Sequence, residues 1–140
     1  MSVSTAERSR IDLSPKTALL AAGDLGAILL FVAIGEYTHG YNPLVDVGRV
    51  AGTFVPFLVG WLLVAGIAGL YASDAVASLP RLLGVTVGSW VGAVAVAQLL
   101  RATEFFHGNA ALTFALVSVG VGGVFLLVWR TVATLIVVDN

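Results

Sequence analysis

Two short motifs hold most of the side chains in this chain that could do chemistry. Glu36-Tyr37-Thr38-His39-Gly40 and Glu104-Phe105-Phe106-His107-Gly108 each place a carboxylate three residues before an imidazole. That spacing sets both groups on one face of a helix. Carboxylate with neutral imidazole is a ligand set for zinc, iron or manganese. Ferritin-like bundles build di-metal sites from paired Glu-x-x-His motifs, but add a Glu from each of two further helices. The second and fourth helices expected here carry no Glu. A full di-metal site is therefore not expected, and a single four-ligand site is the stoichiometric limit. The two histidines alone could also hold a haem.

A plainer reading competes. His in the last turn of a helix meets the negative end of the helix dipole, and Gly just beyond is a common left-handed cap. Glu is the anomaly, because the same dipole disfavours a carboxylate there. On this reading Glu36, His39, Glu104 and His107 cap helices and wet headgroups, and they diverge. Copying a cap copies its Glu, so duplication explains the recurrence without a ligand. The expectation is accordingly no resident metal and no cofactor.

Asp24 and Arg130 are the second constellation. Asp24 lies seven to ten residues into the first apolar run, roughly 10–15 Å deep at 1.5 Å per residue. Arg130 lies eight residues before Val138 in the last run, so it enters to a similar depth from the same side. An unpaired carboxylate at that depth is expensive. The expectation is an intramembrane Asp24–Arg130 pair that fixes the first helix against the fourth. A proton or ion step is the functional alternative, and snorkelling of Arg130 to the interface is a third reading.

Such depths presuppose a membrane, and the composition demands one. Of 140 residues, 59% are hydrophobic and 11% charged, against about 25% charged in soluble domains. Mean hydropathy is +1.01. Four apolar runs stand out, roughly Thr17–Gly35, Gly52–Ala72, Leu82–Leu100 and Ala110–Val138, each near the ~20 residues that span a bilayer core. The first is longer than a signal-peptide core and is interrupted by Asp24, so it is expected to be retained. Without Cys there are no disulfides and no thiolate ligands. A net charge of -1 carries no message about partners, and with neither a basic patch nor an aromatic platform no nucleic-acid partner is expected.

The reading is an all-α, four-transmembrane-helix bundle. Residues 1–13 form a polar cytoplasmic tail and 14–140 the transmembrane domain. Ser14-Pro15 opens the first helix, which runs to about His39. Residues 44–50 are a short, partly helical connector, and Pro56 falls in the first turns of the second helix. Ser78-Leu79-Pro80 opens the third helix, and Arg101 to Asn109 is the last connector. The two Glu-x-x-His-Gly motifs lie 68 residues apart, as do Phe57/Phe125 and Trp61/Trp129. This suggests two parallel-repeat helical hairpins, about 14–72 and 80–140, related by a pseudo-two-fold axis along the membrane normal. Asp24 and Arg130 break the repeat, since they match Gly92 and Leu62. Five basic residues on the side of the termini (Arg8, Arg10, Lys16, Arg81, Arg130) against Arg49 and Arg101 opposite place both termini in the cytoplasm. Gly84, Gly88 and Gly92 form a ridge on the third helix, for packing within the bundle or for a homo-oligomer contact.

With Asp24, Phe31-x3-Gly35-x3-His39, Pro56-Phe57-x2-Gly60-Trp61 and Trp129-Arg130 in view, the chain resembles the family known as domain of unknown function 3054. These are small four-helix integral membrane proteins of actinobacteria and haloarchaea. The resemblance covers most of the chain beyond the tail and implies the same four spans, with no activity attached. Trp129 lacks the preceding Gly that Trp61 has, a departure that bears on packing.

Two function classes follow. The first is a non-enzymatic structural or accessory protein of the cell membrane, its partners being lipid and a second copy through the third helix. The alternative is a small transporter or channel for protons or a small solute, using Asp24, Arg130 and the Glu/His cluster. No nucleophile–base spacing and no phosphate loop occurs, so no catalytic residue and no enzyme activity are expected.

Overall fold

The computed structural model describes residues 15–69, 71, 79–104 and 111–139, and every regular element among them is helical. Helix α1 is Pro15–Thr38 and α2 is Val47–Ala68. Helix α3 is Leu79–Arg101. Helix α4 has three parts: Leu112–Val117, a π-helical turn Ser118–Gly122, and Gly123–Asp139. Four helices are thus long and apolar enough to cross a bilayer, and the chain is a multi-pass membrane protein.

Local sequence explains the ends. Gly40, at φ +94°, stops α1. The Tyr41 amide reaches back to the Glu36 carbonyl at 3.0 Å, which satisfies a carbonyl the helix leaves open. Gly69, at φ +78°, does the same for α2 through the Ala65 and Gly66 carbonyls. Between α1 and α2 an Asx turn forms, with the Asn42 side chain accepting from Leu44 N and the Asp46 carboxylate accepting from Asn42 N, both at 2.9 Å. Residues 47–50 are helical and are the helical part of the connector expected over 44–50. Pro56 therefore lies in the interior of α2, not its first turns.

The helices form a ring in sequence order, and α4 closes against α1. Neighbours run antiparallel. The end of α1 meets the start of α2 at Glu36 and Arg49, while the start of α1 meets the end of α4 at Asp24 and Arg130. The proximal end, where α1 begins and α4 finishes, is thus opposite the distal end, where the α1–α2 and α3–α4 connections lie.

The ring is filled by aromatic side chains. Phe57 stacks on Trp90 at 5.4 Å between centroids, and Phe31 meets both edge-on at 5.7 and 6.1 Å. Trp61 leans on Trp90 at 6.3 Å. Among the close approaches that need glycine, two lie in this core. A Cβ on Gly60 would lie 2.5 Å from the Ala93 carbonyl oxygen, and one on Gly122 would lie 2.4 Å from the Trp90 ring. Between lipid-soluble surfaces such packing does the work that the hydrophobic effect does in water.

The 68-residue sequence register is not the register of the core. Phe31 is 7% exposed and its match Leu99 is 72%; Arg130 is sealed and its match Leu62 is 51% exposed. The glycine ridge of α3 also divides. A Cβ on Gly92 would meet Val64 at 2.9 Å, whereas Gly84 and Gly88 face open space. Gly84 and Gly88 are exposed, so they do not pack within the bundle.

Candidate functional site

At the proximal end, α1, α2, α4 and the second residue beyond the α2 cap bring four polar side chains to one point. Asp24 and Arg130 are both 0% exposed. Arg130 Nε donates to Asp24 Oδ1 at 2.9 Å, and Nη2 donates to Oδ2 at 2.5 Å. The pair is bidentate, the arrangement in which Arg binds carboxylate best. Tyr71 O–H donates to the same Oδ2, and Trp61 Nε1 donates to the Tyr71 oxygen at 2.8 Å. Burial first, then the neighbouring Asp24 charge, push the Tyr71 phenol up, so it stays protonated and remains a donor. The Arg130 guanidinium carbon lies 5.3 Å from the Tyr71 ring centre. Arg130 Nη1 is buried without a partner among the described residues. Trp129 Nε1 donates to the Leu20 carbonyl at 3.2 Å, beside Gly23, where a Cβ would collide with the indole. The structure thus brings Asp24 and Arg130 together and adds Tyr71, which the sequence did not single out, and Trp61, which the sequence marked only as a repeat match and motif residue. A usable signal existed, because a buried Trp or Tyr needs a partner for its N–H or O–H.

At the distal end the three described Glu/His residues do not behave alike. Glu36 is buried at 8% exposure. Its Oε1 accepts from the Thr53 hydroxyl at 2.5 Å and its Oε2 from Arg49 Nε at 3.0 Å. This corrects the expectation of a headgroup-wetting cap: the first turns of α2 deliver Arg49 and Thr53 to it. His39 is exposed, and Glu104 lies in an exposed turn. His107 falls outside the described residues. Among the described residues no three His, Cys, Asp or Glu side chains converge as a metal would need.

What gathers around Glu36 instead is cationic. Arg49 lies 3.9 Å over the Tyr41 ring, and Arg101 lies 3.9 Å over the Phe114 ring. Both line a cleft of about 340 Å³ with Glu36, His39 and Thr53. A second, apolar cavity of about 270 Å³ shares Glu36, His39, Thr53 and Phe114 with it and runs down to Phe31, Val32, Val117 and Ser118. The π-helical turn helps shape this wall. A widened turn frees backbone groups from the α-helical ladder, and here the Ser118 carbonyl accepts from Trp90 Nε1 at 2.8 Å.

Against known proteins, one family matches. The sequence profile described as "Protein of unknown function (DUF3054)" aligns with residues 21–133, an interval that contains both polar centres. No curated protein and no solved structure matches the chain.

Proposed function

The chain belongs to the DUF3054 family, whose function is unknown, and from that premise we propose that it is a non-enzymatic structural or accessory component of the cell membrane with a closed core. The observation that carries this reading is the state of Asp24. Its carboxylate accepts from Arg130 twice and from Tyr71 once, and both ions of the pair are sealed. A proton-handling carboxylate needs a path to water and a spare site for the proton. This one has its oxygens committed to donors, and the packed rings of Phe31, Phe57, Trp61 and Trp90 fill the bundle between it and the distal end. Further parts of the same proposal are cytoplasmic termini, two hairpins related as parallel repeats, and self-association through the exposed Gly84–Gly88 face of α3.

The test is flux. Purified protein in liposomes loaded with a pH-sensitive dye should leak protons no faster than empty liposomes. Asp24→Asn should lower thermal stability without altering flux. Proton or solute movement that Asp24→Asn abolishes in a folded protein would establish instead a small transporter or channel.

A further inference from the structure

Arg101 is the buried charge that the bundle does not neutralise. It is 7% exposed, its Nε has no hydrogen-bond partner among the described residues, and no ion pair to it occurs there. Glu36, the carboxylate of the same cleft, is already taken by Arg49 and Thr53. Within the cleft two guanidinium groups face a single carboxylate. A buried cation with no direct counter-ion is disfavoured, so an anion in the cleft would satisfy Arg101.

The second observation is what adjoins that cleft. Arg101 is the last residue of α3 and Glu36 lies in the last turn of α1, which sets the charged compartment at headgroup level. The apolar cavity continues from it toward the middle of the bundle, past Phe31, Val32 and Val117. The polarity gradient runs in the same direction as that of a lipid. A second orphan lines the apolar compartment: Ser118 is fully buried and its Oγ has no partner among the described residues. A hydroxyl at that depth suits an acceptor on an otherwise apolar ligand, as the ester carbonyl of an acyl chain is. Stacking of Arg101 on Phe114 leaves the edge of its guanidinium for an oxyanion.

We propose that the distal cleft binds an acidic glycerophospholipid, with its phosphate between Arg49 and Arg101 and an acyl ester toward Ser118. The inference does not rest on the closed-core reading; flux and lipid retention are separate measurements, and either can fail alone.

The experiment compares four probes on the full-length protein in neutral detergent: phosphatidylglycerol, phosphatidylcholine of the same chains, oleate and inorganic phosphate. Native mass spectrometry should show one phosphatidylglycerol retained where phosphatidylcholine is lost, and only phosphatidylglycerol should raise the unfolding temperature. Arg101→Gln should weaken that binding roughly ten- to hundredfold, the loss of a hydrogen bond to a charged group. Ser118→Ala should weaken it by a smaller factor. Should Arg101→Gln fail to fold, Ser118→Ala and the wild-type comparison decide alone. Equal retention of both phospholipids would overturn the proposal. So would a response to oleate or phosphate that phosphatidylglycerol does not reproduce.

Discussion

At the residue scale the decisive feature is the sharing of one carboxylate among three donors. Removing the cation with Arg130→Leu strands Asp24 in a sealed site, and removing the anion with Asp24→Asn strands Arg130. Each single change should destabilise by about 3–5 kcal/mol, the cost of breaking a buried pair. Combining Asp24→Asn with Arg130→Leu should cost much less than the two added together, a non-additivity that thermal unfolding in detergent reads directly. Additive losses would mean the two residues do not act as a pair. Tyr71→Phe removes a donor to a charged acceptor and leaves the Trp61 N–H unpaired, so it should cost about 1.5–3 kcal/mol. Trp61→Phe, which leaves the Tyr71–Asp24 bond in place, should cost less through hydrogen bonding than Tyr71→Phe. The Asp24–Arg130 contact was legible in the sequence because depth is countable: two lone charges in apolar runs, equally far from the same face, have few places to go. Tyr71 was not, because it follows the cap at Gly69 and no periodicity says where a residue beyond a cap turns. Glu36 was misread for a related reason. Its partner Arg49 stood in an expected connector, and a side chain cannot be assigned to a helical face until the helix is known to have begun.

At the element scale the four spans follow from composition and two of their ends from Gly40 and Pro80, whereas Gly69 closes α2 short of the expected run to Ala72, and the faces do not follow at all. Nearly every position is apolar, so the contrast that marks a buried stripe in a soluble helix is missing. The glycines supply part of that contrast, though only in three dimensions. Gly60 faces the backbone of Ala93, which cannot move aside as a side chain can. Gly60→Val should therefore cost about 1–3 kcal/mol or more through overpacking and lower the unfolding temperature. Gly84→Leu and Gly88→Leu, facing open space, should leave the fold of the single chain at wild-type stability. If those two variants also reduce the mass of the solubilised assembly, α3 is the contact between copies. Loss of stability in dilute detergent, where the chain is monomeric, would mean that the two glycines pack within the bundle after all. The same lack of contrast hid the π-helical turn at Ser118–Gly122. Gly120, Gly122 and Gly123 flag a weak point in α4, yet only the Trp90 indole, lying against Gly122 and donating to the Ser118 carbonyl, explains why the helix widens there.

At the scale of the whole molecule the two ends differ in kind, and this difference makes orientation testable. The proximal end buries a neutralised pair, whereas the distal cleft sets Arg49 and Arg101 around Glu36, with Asp46 and Glu104 on the same side outside it. Distal cations oppose the positive-inside bias, but two of them stand against five basic residues on the side of the termini. The bias therefore predicts that both termini are cytoplasmic. The chain has no Cys, so single cysteines can be introduced without a background. Val45→Cys in the α1–α2 loop and Thr103→Cys after α3 occupy exposed distal positions; Pro15→Cys and Pro80→Cys occupy exposed proximal ones. None of the four changes a charge, so none perturbs the bias it measures. A membrane-impermeant maleimide added to intact cells should label positions 45 and 103, and should reach 15 and 80 only after permeabilisation. The reverse pattern would keep four spans and invert the orientation, placing the cationic cleft on the cytoplasmic leaflet. Labelling of 45 without 103, or of 15 without 80, would break the antiparallel ring itself. In that case the Asp24–Arg130 pair could not form, because α1 and α4 would no longer bring their polar residues to the same face of the membrane.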